Sequence, residues 1–281
     1  MDISSQRKTI IIYLILLMSL IVYTTYSQIP DTKKPYKSPK FIFELCGSFD
    51  DPTGSSNGNV KDFFSFKNYG LTYGLGFHFN MKYAADKKAS LYPFISMGFT
   101  QLQNNDDEKS FIDSNIISAG YPPPGNLLYR STPGSSVLFL RNFYAGAGLQ
   151  YYFSTRYHIL PFAGLELTFN YIWGSYVQNP RIVAGNNPGG QKTFDISGAS
   201  RFGFGVNLGS EIRVNKYLGF VLGINYKFTN LLGKNSESST EPNTINLLDN
   251  ENTSLNSNLN SSRNIEHLEF FLGFVMFAGS K

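Results

Sequence analysis

The side chains of this sequence that could take part in chemistry are few and far apart. Its three histidines, His78, His158 and His267, are separated by long stretches of chain, and Cys46 is the only cysteine. The sequence contains no HExxH motif and no Cys/His cluster. Metal sites need several such ligands at short spacing. We therefore predict neither a metal nor another cofactor.

A hydrolytic site at one end of the fold is an alternative. His267 could act with a carboxylate on a preceding loop, for which Asp106, Asp107 and Asp113 are candidates. A histidine beside a carboxylate can accept a proton during hydrolysis. Acidic residues are common in loops of every kind, however. We therefore predict a protein without enzyme activity and keep the site at the end of the fold as the alternative.

A second set of charges occurs singly, inside stretches where apolar and polar residues alternate. Both signs are represented, by Glu44, His78, Lys82, Glu166, Arg201, Glu211, Arg213, Lys227 and Glu269. Alternate side chains of a strand point to opposite faces, so these residues belong to the polar faces. Buried charges are costly unless they are paired. We predict a paired polar network inside the fold; a narrow polar pore is the alternative.

The elements that must position these charges are β-strands. In YGLTYGLGFHFNMKY, residues 69–83, the odd positions are large and apolar, whereas the even positions are small or polar. Such a period of two predicts a strand with two different faces. The pattern recurs in eight segments, at 40–49, 69–83, 90–102, 137–153, 158–173, 200–214, 217–229 and 265–277.

The connections between these segments alternate in length. Four are long, at 50–68, 103–136, 174–199 and 230–264, and three are short, at 84–89, 154–157 and 215–216. Long loops on one side and tight turns on the other are typical of outer-membrane barrels. We therefore predict an all-β fold, an eight-stranded antiparallel up-and-down transmembrane β-barrel with both termini in the periplasm.

The large apolar faces are predicted to meet lipid, because an eight-stranded barrel has room inside only for modest side chains. Aromatic residues are expected to form a girdle at each end of the apolar band. Those beside the short turns are Tyr83, Tyr151, Phe153, Tyr157 and Tyr217, and those near the long loops are Tyr69, Phe99, Tyr171, Trp173 and Phe228. A soluble secreted barrel with these faces turned inward is the alternative.

The N-terminus predicts export. Arg7 and Lys8 precede an apolar stretch, and Thr25 and Ser27 are small residues before a cleavage point. This layout predicts a signal peptide at 1–27, a periplasmic segment at 28–39 and the barrel at 40–281. An uncleaved anchor helix is the alternative. The net charge is +4 without a basic stripe, which argues against nucleic acid as a partner.

From Lys40 to Phe277 the chain resembles the small eight-stranded barrels of the OmpA-transmembrane-domain and OmpX type, the outer membrane protein beta-barrel domain family. The resemblance lies in the architecture, not in a diagnostic motif. It implies the outer membrane as the location, membrane lipid as a partner and a structural or surface-interaction role. A protein or surface ligand would bind through the long loops. A secretion accessory barrel of the PorT-like kind is an alternative that no residue distinguishes.

Overall fold

The computed structural model describes residues 38–64, 68–86, 88–112, 130–153, 158–180, 190–234, 244–245, 247, 249 and 263–279. The signal peptide at 1–27 and nearly all of segment 28–39 lie outside these residues and stay predictions. Within the described part of the chain, no helix is both long and apolar enough to cross a membrane.

The described residues form ten strands, one short helix and one 3-10 turn. The strands are β1 (Phe41–Pro52), β2 (Tyr73–Tyr83), β3 (Leu91–Asp106), β4 (Lys109–Ile112), β5 (Arg130–Tyr152), β6 (Ile159–Pro180), β7 (Lys192–Arg213), β8 (Leu218–Leu232), β9 (Thr244–Ile245) and β10 (Glu266–Ala278). Helix α1 (Val60–Phe64) lies between β1 and β2, after a 3-10 turn at Gly54–Ser56.

Eight of these strands close into an antiparallel ring. The ring contains all strands except β4 and β9. In chain order the pairs are β1–β2, β2–β3, β3–β5, β5–β6, β6–β7, β7–β8 and β8–β10, and β10 pairs with β1 to close the ring. Following paired residues once around the ring leads from Ile42 to Pro52, an offset of ten residues (52 − 42), through Lys82, Phe94, Gly148, Glu166, Gly205, Lys227 and His267. Tilted strands with such an offset are what closes a barrel. The predicted fold is confirmed.

The outward face of the ring is apolar, as predicted. Leu75 and Phe77 of the 69–83 segment are more than half exposed, whereas His78 and Lys82 of the opposite face are buried. About ten residues per strand, at ~3.3 Å each and a tilt of ~40°, give an apolar band ~25 Å tall. The alternative of a soluble barrel with these faces turned inward is therefore wrong.

The strands run further than predicted at the end that carries the long connections, which we call the loop end. β5, β6 and β7 contain 23, 22 and 22 residues, about twice the 9–11 needed to cross a bilayer. They occupy parts of the predicted loops 103–136 and 174–199, and β4 and β9 pair with β5 and β7 there. The alternation continues in these stretches with mostly small or polar residues outside, such as Ser175 and Thr193, which give a weaker signal than phenylalanine.

The prediction that Tyr69 belongs to the aromatic girdle near the long loops was wrong. Strand β2 begins at Tyr73 and not at residue 69, and both Tyr69 and Leu71 are fully buried and not part of an outer girdle. Between them Gly70 has a φ of +68°, which favours glycine. This conformation turns the chain inward over the mouth of the barrel.

Candidate functional site

All nine of the predicted interior charges are buried within the ring. They do not form one network, because they lie at different levels along the barrel axis. Three lie in a lower cluster near the short turns, which we call the turn end, and three more form a middle cluster. Glu166 bonds to a serine at the middle level, Arg213 is the last residue of β7, and Arg201 lies near the middle of that long strand.

The lower cluster is built around Lys82. Its Nζ forms ion pairs with Glu44 and with Glu211, the latter at 3.1 Å, and donates a hydrogen bond to the Tyr152 hydroxyl at 3.0 Å. Glu44 also accepts a bond from Asn80 at 2.8 Å, and Tyr152 donates to Glu211. One cation thus compensates two fully buried carboxylates. These contacts link β1, β2, β5 and β7 across the lumen.

The middle cluster is built around Glu269. It pairs with Lys227 at 2.8 Å and with the Nδ1 atom of His78 at 2.9 Å. Lys227 donates to the Tyr144 hydroxyl at 2.6 Å, with its Nζ atom 3.9 Å from the centre of that ring. Asn225 donates to Glu269 at 3.3 Å. The cluster therefore joins β2, β5, β8 and β10.

Glu166 and the two arginines belong to neither cluster. Glu166 accepts a hydrogen bond from the Ser96 hydroxyl. Arg213 lies at the turn end, with its guanidinium 4.8 Å from the Phe277 ring centre. Arg201 lies at the loop end and pairs with Asp249, which is in the long fourth connection. The expectation that Arg201 shares a network with the other charges was wrong, since strand β7 extends beyond the apolar band.

Glycines let aromatic rings fill the remaining lumen. A Cβ atom added to Gly98 would lie 2.7 Å from the Tyr144 ring, and one added to Gly223 would lie 2.5 Å from the Phe271 ring. Contacts this close cannot form, so each ring needs the bare backbone beneath it. The period-2 pattern of glycines on the polar faces is therefore a packing feature of the interior.

Two apolar clusters close the ends of the lumen. The lower one surrounds the lower charged cluster and consists of Ile42, Cys46, Ala84, Ala89, Tyr92, Tyr152, Leu160, Phe162, Val221, Phe271, Val275 and Phe277. The upper one, which we call the cap core, consists of Val60, Phe63, Tyr69, Leu71, Leu102, Leu138, Leu140, Ile172, Tyr176, Phe194, Ile196, Leu247 and Ile265. The cap core includes residues of the first and the fourth long connection and of the extended strands, beyond the apolar band.

Arg263 ties the first connection into the cap core. The residue is 1% exposed, and its Nη1 atom donates to the backbone oxygens of Phe63 at 3.0 Å and Asn68 at 2.8 Å. Its guanidinium carbon lies 4.4 Å from the Tyr69 ring centre. Burial, and then the negative charge of Asp249, raise the pKa of the Tyr69 hydroxyl. The arginine therefore stacks on a neutral ring.

Asn230 links the end of β8 to the start of β10 within the same cap. Its amide nitrogen donates to Asp249 at 3.1 Å and to the Arg263 backbone oxygen at 3.0 Å. Its oxygen accepts a bond from the Ile265 amide. Sequence reasoning missed Arg263, Asp249 and Asn230, because they lie in or beside an Asn/Ser-rich connection without period. Phe63 of the first connection is fully buried in this cap core.

His267 does not lie in an open site. Its side chain is 1% exposed inside the barrel, and its Nε2 atom is 3.4 Å from an oxygen of Asp50 on the neighbouring strand. The residue faces Asp50 and not Asp106 or Asp107, while Asp113 lies outside the described residues. Among the described residues, no group of three or more histidine, cysteine and acidic side chains could hold a metal ion.

Several solved outer-membrane proteins are similar to this chain in structure at low sequence identity. No protein-family model and no curated protein matches the sequence. Neisserial surface protein A is 12% identical with a TM-score of 0.41, over 85% of this chain and 98% of that one. OprG from Pseudomonas aeruginosa is 11% identical with a TM-score of 0.42, over 87% and 99%. The Escherichia coli outer membrane protease OmpT is 12% identical with a TM-score of 0.38, over 84% and 96%.

At such identities the likeness concerns the fold alone, and the assignment of the fold rests on the strand pairing. A closed antiparallel ring leaves no unpaired strand edge, so its backbone can cross a bilayer. Its outward face is apolar, and its interior is polar and filled. These features define a transmembrane β-barrel of the outer-membrane type, and an outer membrane is where such a barrel resides.

Proposed function

We propose that the protein is a non-conducting and non-catalytic outer-membrane barrel that presents a folded cap at the cell surface for interaction with a partner. The observation that carries this proposal is the cap core. Strands β5, β6 and β7 rise beyond the apolar band, and α1 and Tyr69 pack between them. A buried core outside the membrane gives the surface connections a rigid support, which favours specific binding.

The interior charges have a structural role in this proposal. The lower and middle clusters each join four strands that are distant in sequence. A one-residue slip of any strand would turn its charged face toward lipid. We infer that the two clusters fix the register of the ring and fill the lumen.

A closed lumen should not conduct ions. Apolar clusters lie at both ends, and Lys82 and Glu211, which the lower one surrounds, are fully buried. We expect purified protein in planar lipid bilayers to produce no discrete current steps in concentrated potassium chloride. A preparation of a known porin, reconstituted in the same way, shows that insertion works. Reproducible single-channel steps from the folded protein would instead support the pore alternative.

The orientation of the barrel can be tested by cysteine labelling, because the native Cys46 is 2% exposed and should stay unlabelled. Lys192 is exposed at the loop end and Lys216 is exposed in a turn at the other end. We expect a membrane-impermeant maleimide to label a Lys192→Cys variant on intact cells. A Lys216→Cys variant should react only after the outer membrane is permeabilised. The reverse pattern would place the cap in the periplasm and contradict the proposal.

Binding at the surface can be tested by photo-crosslinking on intact cells. A photoreactive amino acid at position 192 should give discrete adducts, whereas the same amino acid at 216 gives none from outside the cell. The adducts should disappear when Arg263 is replaced by alanine, because that side chain holds the cap together. Adducts that persist in this variant would show that the folded cap does not carry the interaction.

A further inference from the structure

A polar cluster interrupts the outer wall of the barrel directly above the apolar band. It consists of Tyr73 on β2, Gln101 and Gln103 on β3, and Arg141 on β5, all of which point outward. These strands pair so that Gln101 lies opposite Arg141 and Gln103 lies opposite Tyr73. We call this set the outer-wall cluster.

Hydrogen bonds run through the outer-wall cluster in one direction. The Arg141 Nε atom donates to the Gln101 side-chain oxygen at 3.0 Å. The Gln101 amide then donates to Gln103 at 3.3 Å, and the Gln103 amide donates to the Tyr73 hydroxyl. The amide oxygens are thereby occupied. The donors left to face the surroundings include the Tyr73 hydroxyl and the two Nη groups of Arg141.

The Arg141 side chain is held in place at this level. Its guanidinium carbon lies 5.6 Å from the Phe139 ring centre, and Gln101 fixes its Nε atom. Within the described part of the chain, the Nη groups have no protein acceptor and the cluster includes no carboxylate. An oriented guanidinium with two open donors matches the oxygens of a phosphate group.

The height of the outer-wall cluster identifies the source of the phosphate. Trp173 is the β6 partner of Arg141, and its ring lies 6.1 Å from the ring of Phe99 in the last apolar layer. Aromatic belts mark the level of the lipid headgroups. A phosphate of an outer-leaflet lipid would therefore lie beside Arg141 while the acyl chains contact the Phe99 and Phe143 wall below.

From these contacts we propose that the outer-wall cluster is a binding site for a phosphorylated lipid of the outer leaflet, with Arg141 as its main ligand. The inference rests on the proposed membrane orientation, since the cluster must lie in the outer leaflet. The site is separate from the cap and from both charged clusters of the lumen. It assigns a role to the one arginine that interrupts the apolar face of β5.

The test measures lipid retention on the folded, full-length protein by native mass spectrometry, with bisphosphorylated lipid A and the same lipid after enzymatic dephosphorylation. We expect Arg141→Gln to reduce retention of the phosphorylated lipid about tenfold, the value of one charge-assisted hydrogen bond. Lys216→Gln removes a charge at the opposite end and should change nothing. The dephosphorylated lipid should bind the wild type and Arg141→Gln equally and weakly.

Three outcomes would contradict the proposal of a lipid-binding site. They are equal retention of phosphorylated lipid by Arg141→Gln and wild type, equal retention of both lipids by the wild type, and displacement by millimolar inorganic phosphate. Heat-modifiable migration on gels is recorded for each variant. A wild type that never folds into lipid would refute the proposed function, whereas a folded wild type without lipid selectivity refutes only this site.

Discussion

Replacing Lys82 by methionine should destabilise the barrel by about 3–5 kcal/mol, the usual cost of leaving a buried charge without its partner. Lys82 is fully buried and is the cation between Glu44 and Glu211. Methionine fills a similar volume, so the lower free energy of unfolding would result from the missing positive charge and not from a cavity. The measurement is the free energy of unfolding from denaturant titration in lipid vesicles, followed by heat-modifiable migration.

The matched control removes all three charges at once. In the variant Lys82→Met, Glu44→Gln, Glu211→Gln, no carboxylate is left unpaired, and Tyr152 can still donate a hydrogen bond to position 211. Neutral replacements of buried ion pairs are often close to wild type in stability, so we expect the triple variant to recover most of the loss. A Lys82→Met barrel as stable as the wild type would show that water or another group compensates the carboxylates.

The wall of the barrel could be predicted because it repeats one simple rule. At residues 73–83 every second side chain is large and apolar, and the structure places that face outward. The same rule located the charges of the opposite face in the lumen. It could not show which charges meet, because that depends on how far each strand is displaced along the barrel axis. Arg201 illustrates the limit: it shares a face with Glu211 on β7 but lies ten residues (211 − 201) nearer the loop end.

The cap could not be predicted from the sequence, because its contacts join residues that no local pattern connects. Arg263 donates a hydrogen bond to the backbone oxygen of Phe63, 200 positions earlier in the chain. Asp249 lies in an Asn/Ser-rich connection of a composition that usually indicates an unstructured segment. Only the apolar character of Phe63 hinted at burial. Tyr69 was misassigned for a related reason, since the period of two continues across Gly70, where the backbone leaves the strand.

The cap should come apart when Arg263 is replaced by alanine, while the barrel below remains folded. The variant loses two hydrogen bonds from a charged donor and the stacking of the guanidinium on Tyr69. Such losses amount to about 2–4 kcal/mol, or roughly a hundredfold in the local opening equilibrium. Hydrogen exchange of the Tyr69 and Leu71 amides, which bond to Ser55 and Ser56, measures this opening directly.

Comparing hydrogen exchange in the cap with hydrogen exchange in the barrel shows whether Arg263 stabilises the cap alone or the whole fold. Amides that pair β1 with β2 inside the apolar band should keep their protection, because they close the ring without the cap. Arg263→Lys keeps the charge but not the planar donor geometry, so an intermediate rate is expected. Lys234→Ala removes a half-buried cation of the same region and should leave Tyr69 and Leu71 protected. Faster exchange throughout the ring would mean that cap and barrel unfold together, and the cap would then not be a separate platform.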